Sequence, residues 1–260
     1  MLGAPVPLAM SAGPAPLLVF DFDGVLVDGM PEYWWSAREA ALQLAPALQL
    51  PEEAPAGFAQ LRPLIHKGWE MVLMAAELGR ADLDLEALLA DYDGALPRAL
   101  ARWGWAADSL QRQLEQVRST ALATDPAAWL ARHRLYPGVK ERLDRLAREG
   151  AEWAVLTTKG AAFASRLLAA AGLEPRALFG HEQGSKPEVL RTLLAEDRPL
   201  WFIEDRRPTL ETVRADPRLA AVRCFLVSWG YLGPRDGEGL PPTIAWLTPE
   251  RFAAPLAQWP

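Results

Sequence analysis

Cysteine is almost absent: Cys224 is the only one in 260 residues. A lone thiol cannot close an internal disulfide, so a reducing compartment is expected. Cys224 lies inside the apolar stretch Val222–Val227, where a packed structural thiol is expected in preference to a nucleophile. Lysine is nearly as scarce and stands only at Lys67, Lys140, Lys159 and Lys186. Almost all other basic charge is arginine, which gives each lysine weight. No uninterrupted apolar run approaches the ~20 residues that span a bilayer. Residues 1–16 are rich in Ala, Pro and Gly and lack a basic n-region. They read as a loose N-terminal arm, with Met10 an alternative start, and not as a signal peptide. An excess of positive charge is missing too: the formal net charge is −6, which argues against nucleic acid as the main partner. There is no internal repeat. These absences leave the expectation of a cytoplasmic protein that binds neither nucleic acid nor membrane. Nothing in the sequence sets its oligomeric state.

Half of the residues are hydrophobic, enough for a sizeable core in one large domain or two modest ones. Short apolar runs occur at Leu17–Phe20, Trp153–Leu156, Leu200–Ile203 and Ala221–Val227, with a shorter one at Ala177–Phe179. Each has the length of a buried strand. Helical patterns lie between them, at Val139–Glu149, Ala161–Ala171 and Pro187–Ala195. Strands alternating with helices predict an α/β fold, a Rossmann-like parallel sheet with helices on both faces. Residues 29–134 break the alternation. They show helical segments at Pro31–Leu44, Phe58–Leu78, Leu85–Trp103 and Ser109–Leu122, with Pro31 and Pro51 placed as helix starts and Gly79 as a stop. The expected division is therefore a core of residues 17–28 and 135–260 and an inserted helical domain of residues 29–134. The run Gly230–Pro242 reads as a loop between the last core strand and the C-terminal tail.

The string Asp21-Phe22-Asp23-Gly24-Val25-Leu26-Val27-Asp28 follows the first apolar run directly. Two carboxylates at the end of a buried strand are costly unless they meet a cation. A divalent metal is the simplest partner, because hard cations take oxygen ligands. Gly24 allows a sharp turn where a side chain would crowd a ligand.

The string resembles motif I of the haloacid dehalogenase-like phosphohydrolases, and the other motifs of that family follow in order. Ala154–Lys159 is similar to motif II, with Thr157 as the matching hydroxyl and Thr158 where the family often has Asn. Gly184-Ser185-Lys186-Pro187 is similar to motif III. Trp201–Asp205 is similar to motif IV in its adjacent-acid form, with Thr209 in place of the later Asp of the other form. The helical insertion after the first strand resembles the C1 cap, and the whole is phosphoglycolate phosphatase-like. Tyr136-Pro137-Gly138-Val139 resembles the turn that opens the helix after the cap.

The resemblance implies a Mg2+-dependent phosphatase acting on a small phosphorylated metabolite through an aspartyl-phosphate. Asp21 would be the nucleophile, Asp23 the acid and base, and Thr157 and Lys186 would hold the phosphoryl group. Asp21, Asp23 (through its backbone carbonyl) and Asp205 would bind the metal. Glu204 would either reach the metal through water or orient its neighbours; Glu211 is a fallback ligand. Asp28 would be the hinge into the cap. The presence of Asp23 favours phosphate esters over halides, where no acid is needed. A sugar phosphomutase shares the same intermediate and is the alternative enzyme. A catalytically weak binding or regulatory protein on the same scaffold is the third reading. Arg62, His66 and Lys67 could reach a substrate anion or form a solvated face. Of the 11 tryptophans, Trp34, Trp35, Trp69, Trp103, Trp105 and Trp129 fall in the insertion. Packing explains them, with an aromatic pocket at Trp34 or Trp35 as the competing expectation.

Overall fold

The computed structural model describes residues 14–260. Of the expected arm, residues 1–13, Met10 among them, lie outside the described residues. The chain opens with β1 (Leu17–Phe20) and β2 (Val27–Asp28). Helices follow: α1 (Met30–Leu44), α2 (Ala56–Leu61), α3 (Gly68–Leu78), α4 (Leu85–Ala90), α5 (Tyr92–Trp103), α6 (Ala107–Thr124) and α7 (Pro126–Leu130). After β3 (Arg134–Leu135) come α8 (Val139–Leu146), β4 (Glu152–Leu156), α9 (Ala161–Ala170), β5 (Ala177–Phe179) and α10 (Lys186–Leu194). The chain finishes with β6 (Leu200–Glu204), α11 (Arg207–Ala215), β7 (Arg223–Val227), β8 (Ile244–Leu247) and α12 (Pro249–Ala253). Among the described residues no helix is long and apolar enough to cross a membrane.

A 6-stranded sheet has the order β5-β4-β1-β6-β7-β8, and every pairing in it is parallel. Both faces are covered, which is why the strands read as unbroken apolar runs. Side chains alternate between two cores. Leu18, Phe20, Trp153, Val155, Trp201 and Ile203 pack on one face with residues of α8, α9 and α12. Leu17, Val19, Ala154, Leu156, Leu200 and Phe202 pack on the other with residues of α10 and α11. Cys224 lies in the second core, and burial raises its thiol to about 11, as befits a structural thiol.

Helices α1–α6 pack around a separate core that includes Trp34, Phe58, Val72 and Leu110. A short antiparallel ribbon, β2 against β3, stands where the chain leaves for these helices and where it returns. Trp129 of α7 packs with the sheet's core, not with the helical one.

Several elements differ from the sequence expectation. Phe58–Leu78 is two helices, interrupted by a tight turn at Arg62–Leu64. Pro63 weakens the helix here because it has no N–H to donate to the preceding turn; Arg62 keeps helical backbone, and the chain turns extended at Ile65. Leu85–Trp103 is broken at Asp91, and Pro51 starts no helix. Ala221–Val227 is not the last core strand: β8 follows the Gly/Pro loop and forms the sheet edge. Trp34 is sealed in the helical core, with its indole N–H on the carbonyls of Pro51 and Glu52.

Candidate active site

Register brings the site together. Phe20 lies level with Val155 and Ile203, so Asp21, Thr157 and the Glu204–Asp205 pair emerge at one edge of the sheet. The Asp21 N–H donates to the Ile203 carbonyl at 2.8 Å. Connections from β1 run to one side of the sheet and those from β6 to the other, so this is the switch point where ligands bind in open α/β sheets. The chain turns at once after Asp23. Gly24 has φ +91°, and a Cβ there would collide with the Asp205 carboxylate. Only glycine combines that backbone with that approach.

Asp21, Glu204 and Asp205 are buried and offer carboxylate oxygens all within 4.8 Å of one another. Lys186, at the start of α10, reaches back between the strands. Its Nζ donates to Asp21 Oδ1 at 2.7 Å and to Glu204 Oε2 at 2.6 Å. Pro187 and the bonds from the Ser185 N–H and hydroxyl to Glu188 fix the helix start that aims it. Burial and the neighbouring Glu204 charge raise Asp21 to about 7 against the pull of Lys186. Burial and the Asp21 charge likewise raise Asp205 to about 7. Glu204 is raised chiefly by burial, while Lys186 opposes the shift. Burial would also discharge Lys186, but Asp21 and Glu204 hold it protonated. Three carboxylates against one ammonium leave two negative charges in excess. A hard divalent cation fits that deficit and the all-oxygen donor set.

The Asp23 side chain stands outside this cluster. Its Oδ1 lies 3.4 Å from Lys159 Nζ and is buried without a hydrogen-bond partner among the described residues. Thr157 is buried, and its Oγ1 accepts the Lys159 N–H at 3.0 Å. These groups face a cavity of about 340 Å3, and exposed Thr158 lies on its rim. Arg62, His66 and Lys67 stand on the opposite, helical wall of the same cavity. Glu211 is taken up by Arg207 at 2.7 Å. Trp34 and Trp35 are not among the cavity's lining, and Tyr33 is.

Four further residues belong to the site. Tyr33 comes from α1, and Lys159 Nζ lies 5.2 Å from its ring centroid. Tyr231, from the loop after β7, donates its N–H to Asp205 and its hydroxyl to Asp28 Oδ1, and that hydroxyl accepts the Gly29 N–H. Asp28 also accepts the Met30 N–H at 2.9 Å. Arg206 crosses to the helical wall, donating to the Ile65 carbonyl at 3.1 Å and to His66 Nδ1 at 2.7 Å. The scarcity of lysine and a place at the end of the motif II stretch pointed at Lys159. Tyr33, Tyr231 and Arg206 carried none, because each acts through a contact distant in sequence.

The model for the haloacid dehalogenase-like hydrolase family matches residues 16–196. The chain belongs to this family. Motifs I to III lie within the matched span, and motif IV lies just beyond it. A Pseudomonas putida protein described as phosphoglycolate phosphatase is 26% identical over 241 residues, covering 88% of this chain and 75% of that one. A Haemophilus somnus structure described as a predicted phosphoglycolate phosphatase superposes with TM-score 0.60 at 19% identity, covering 91% of this chain and 94% of the other. The Mycobacterium tuberculosis protein tyrosine kinase A superposes with TM-score 0.56 at 22% identity, covering 95% and 97%. The fold thus recurs in proteins described by different reactions, so a haloacid dehalogenase-like hydrolase must be read from its site.

Proposed function

We propose that this hydrolase is a Mg2+-dependent phosphatase that cleaves a small phosphate monoester through an aspartyl-phosphate on Asp21. The observation that carries the reading is Lys186 bridging Asp21 and Glu204 beside Asp205. This builds an anionic nucleophile whose excess charge matches a divalent cation. Asp21, Asp205 and the Asp23 backbone carbonyl would hold the ion, with Glu204 orienting Lys186. When bound, the ion screens carboxylate from phosphate and polarises the phosphoryl oxygens.

In the first step an Asp21 oxygen forms a bond to phosphorus while the ester P–O bond breaks. The leaving oxygen takes its proton from Asp23. In the second step Asp23 removes a proton from water, the water oxygen bonds to phosphorus, and the Asp21–phosphorus bond breaks. Phosphate leaves and both acids are restored. The Thr157 hydroxyl and Lys186 hold the phosphoryl oxygens throughout. A positioned acid and base supplies about 10²–10⁴-fold; the rest comes from the covalent route and the fixed charges.

In this reading residues 29–134 are a cap, residues 17–28 and 135–260 the catalytic core, and Asp28 the hinge. The bond from Arg206 to the Ile65 carbonyl, from core to helical wall, supports a cap that meets the core over the cavity. Buried Cys224 suits a reducing cytoplasm. The name of the Pseudomonas relative makes phosphoglycolate the first ester to try.

The test is phosphate release by the purified full chain with Mg2+, from an aryl phosphate and a panel of phosphorylated metabolites. Turnover should vanish with chelator and with Asp21→Asn, the variant keeping its melting transition. No release from any ester would sink the reading. Isomerisation of a sugar phosphate without release would convert it to a phosphomutase.

A further inference from the structure

A buried N–H donor without a hydrogen-bond partner is costly, and half-buried Arg62 carries one. It begins the turn Arg62–Leu64 on the helical wall of the cavity. Its Nε is buried and bonds to nothing among the described residues. Its guanidinium lies 5.0 Å from the ring centroid of Tyr33 and 4.4 Å from that of Tyr231. Those rings hold a cation in place but satisfy none of its N–H groups. Tyr231 is itself anchored by Asp28 and Gly29, so the arginine is positioned before any ligand arrives. The other arginines on the cavity are occupied: Arg118 forks onto Glu32, and Arg206 is bonded to Ile65 and His66.

Phosphoryl transfer runs in line, with attacking and leaving oxygens on opposite sides of phosphorus. Asp21 attacks from the sheet edge, so the leaving group points away from the sheet, toward the wall that carries Arg62. The cavity of about 340 Å3 has room beyond the phosphoryl group for a leaving group of metabolite size. A guanidinium is permanently charged and presents a planar fork that matches carboxylate or phosphate.

We infer that Arg62 is a specificity-determining residue that binds a second anionic group, carboxylate or phosphate, on the leaving group of a phosphate monoester. The inference rests on the phosphatase reading of the same cavity. It accounts for a cation that the phosphoryl group, already served by Thr157 and Lys186, does not need.

Three esters that differ at one end test it: 2-phosphoglycolate with a carboxylate, ethane-1,2-diol bisphosphate with a second phosphate, and 2-hydroxyethyl phosphate with neither. In the full chain with Mg2+, kcat/KM for at least one anionic ester should exceed that for the neutral one by roughly ten- to a hundredfold, the worth of charge-assisted hydrogen bonds. Which anionic ester wins tells carboxylate from phosphate. Arg62→Met should bring the ratio to within about threefold of unity, and Arg62→Lys should restore only part of it, since lysine has charge without the fork. Calorimetric binding of the same esters to Asp21→Asn, with and without Arg62→Met, should show the same loss of preference. A ratio near one in the unmodified chain, a ratio unchanged by Arg62→Met, or no binding of any ester would overturn the inference. No phosphate release alongside Arg62-dependent binding would overturn the phosphatase reading and leave the role of Arg62 standing.

Discussion

Lys186 decides how the acid cluster behaves without metal. It neutralises one of three buried carboxylates, and burial together with the remaining repulsion raises Asp21 and Asp205 to about 7. An unfolded aspartate titrates near 3.9. Between those values the folded chain binds protons that the unfolded chain has released. The contribution to stability is therefore full below about pH 4 and is lost as pH rises through about 7. In chelator, the melting temperature should fall from pH 5.5 to pH 8, and Asp205→Asn should flatten that slope. Added Mg2+ should raise the melting temperature more at pH 8 than at pH 6, because the ligands must shed protons to bind it. A metal-induced shift that is equal at both pH values would count against this cluster as the binding site.

Among elements, the turn after β1 is the most constrained. Gly24 holds φ +91° against the Asp205 carboxylate. A side chain there should cost about 1–3 kcal/mol in backbone strain alone. It would also push Asp205 from Asp21. Gly24→Ala should thus lower the denaturation midpoint and weaken Mg2+ binding together, measured by urea unfolding and by metal titration. If Mg2+ binding is unchanged, Gly24 serves the turn alone. This turn was legible in the sequence because glycine and two acids sit side by side. The strands β1, β4, β6 and β7 were legible because burial on both faces leaves no polar residue in their centres. β8 was not: it is an edge strand with Trp246 exposed, and its short run follows a Pro-rich loop. The ribbon of β2 and β3 is two residues long on each side, below the length at which any periodicity shows. The break at Arg62 was signalled by Pro63, but apolar residues on either side masked it. What that break places over the cavity needed the fold.

For the whole molecule, the central question is how the helical layer is held together and over the sheet. Within that layer Arg118 of α6 forks onto buried Glu32 of α1 at 2.8 and 2.7 Å. Burial would raise Glu32, but Arg118 overrides it and holds the carboxyl at about 2. That stability is present above the unfolded value near 4.3 and is lost only as pH falls through about 2. Removing the arginine strands the carboxylate, so Arg118→Met should cost about 3–5 kcal/mol. Calorimetry should show the loss in the transition that reports on residues 29–134. A loss below 1 kcal/mol would mean that water reaches Glu32.

The place of β1 in the middle of the sheet has a consequence for how the protein is made. Leu17 pairs with Glu152 on one side and with Leu200 on the other. During synthesis at roughly 5–20 residues per second, this fully apolar strand waits on the order of 7–27 s for its first partner to leave the ribosome. The helices encoded in between find most of their packing partners among themselves and can fold in that interval. The strand that leads into Asp21 cannot, and it depends on its surroundings in the cell until the second half of the chain arrives.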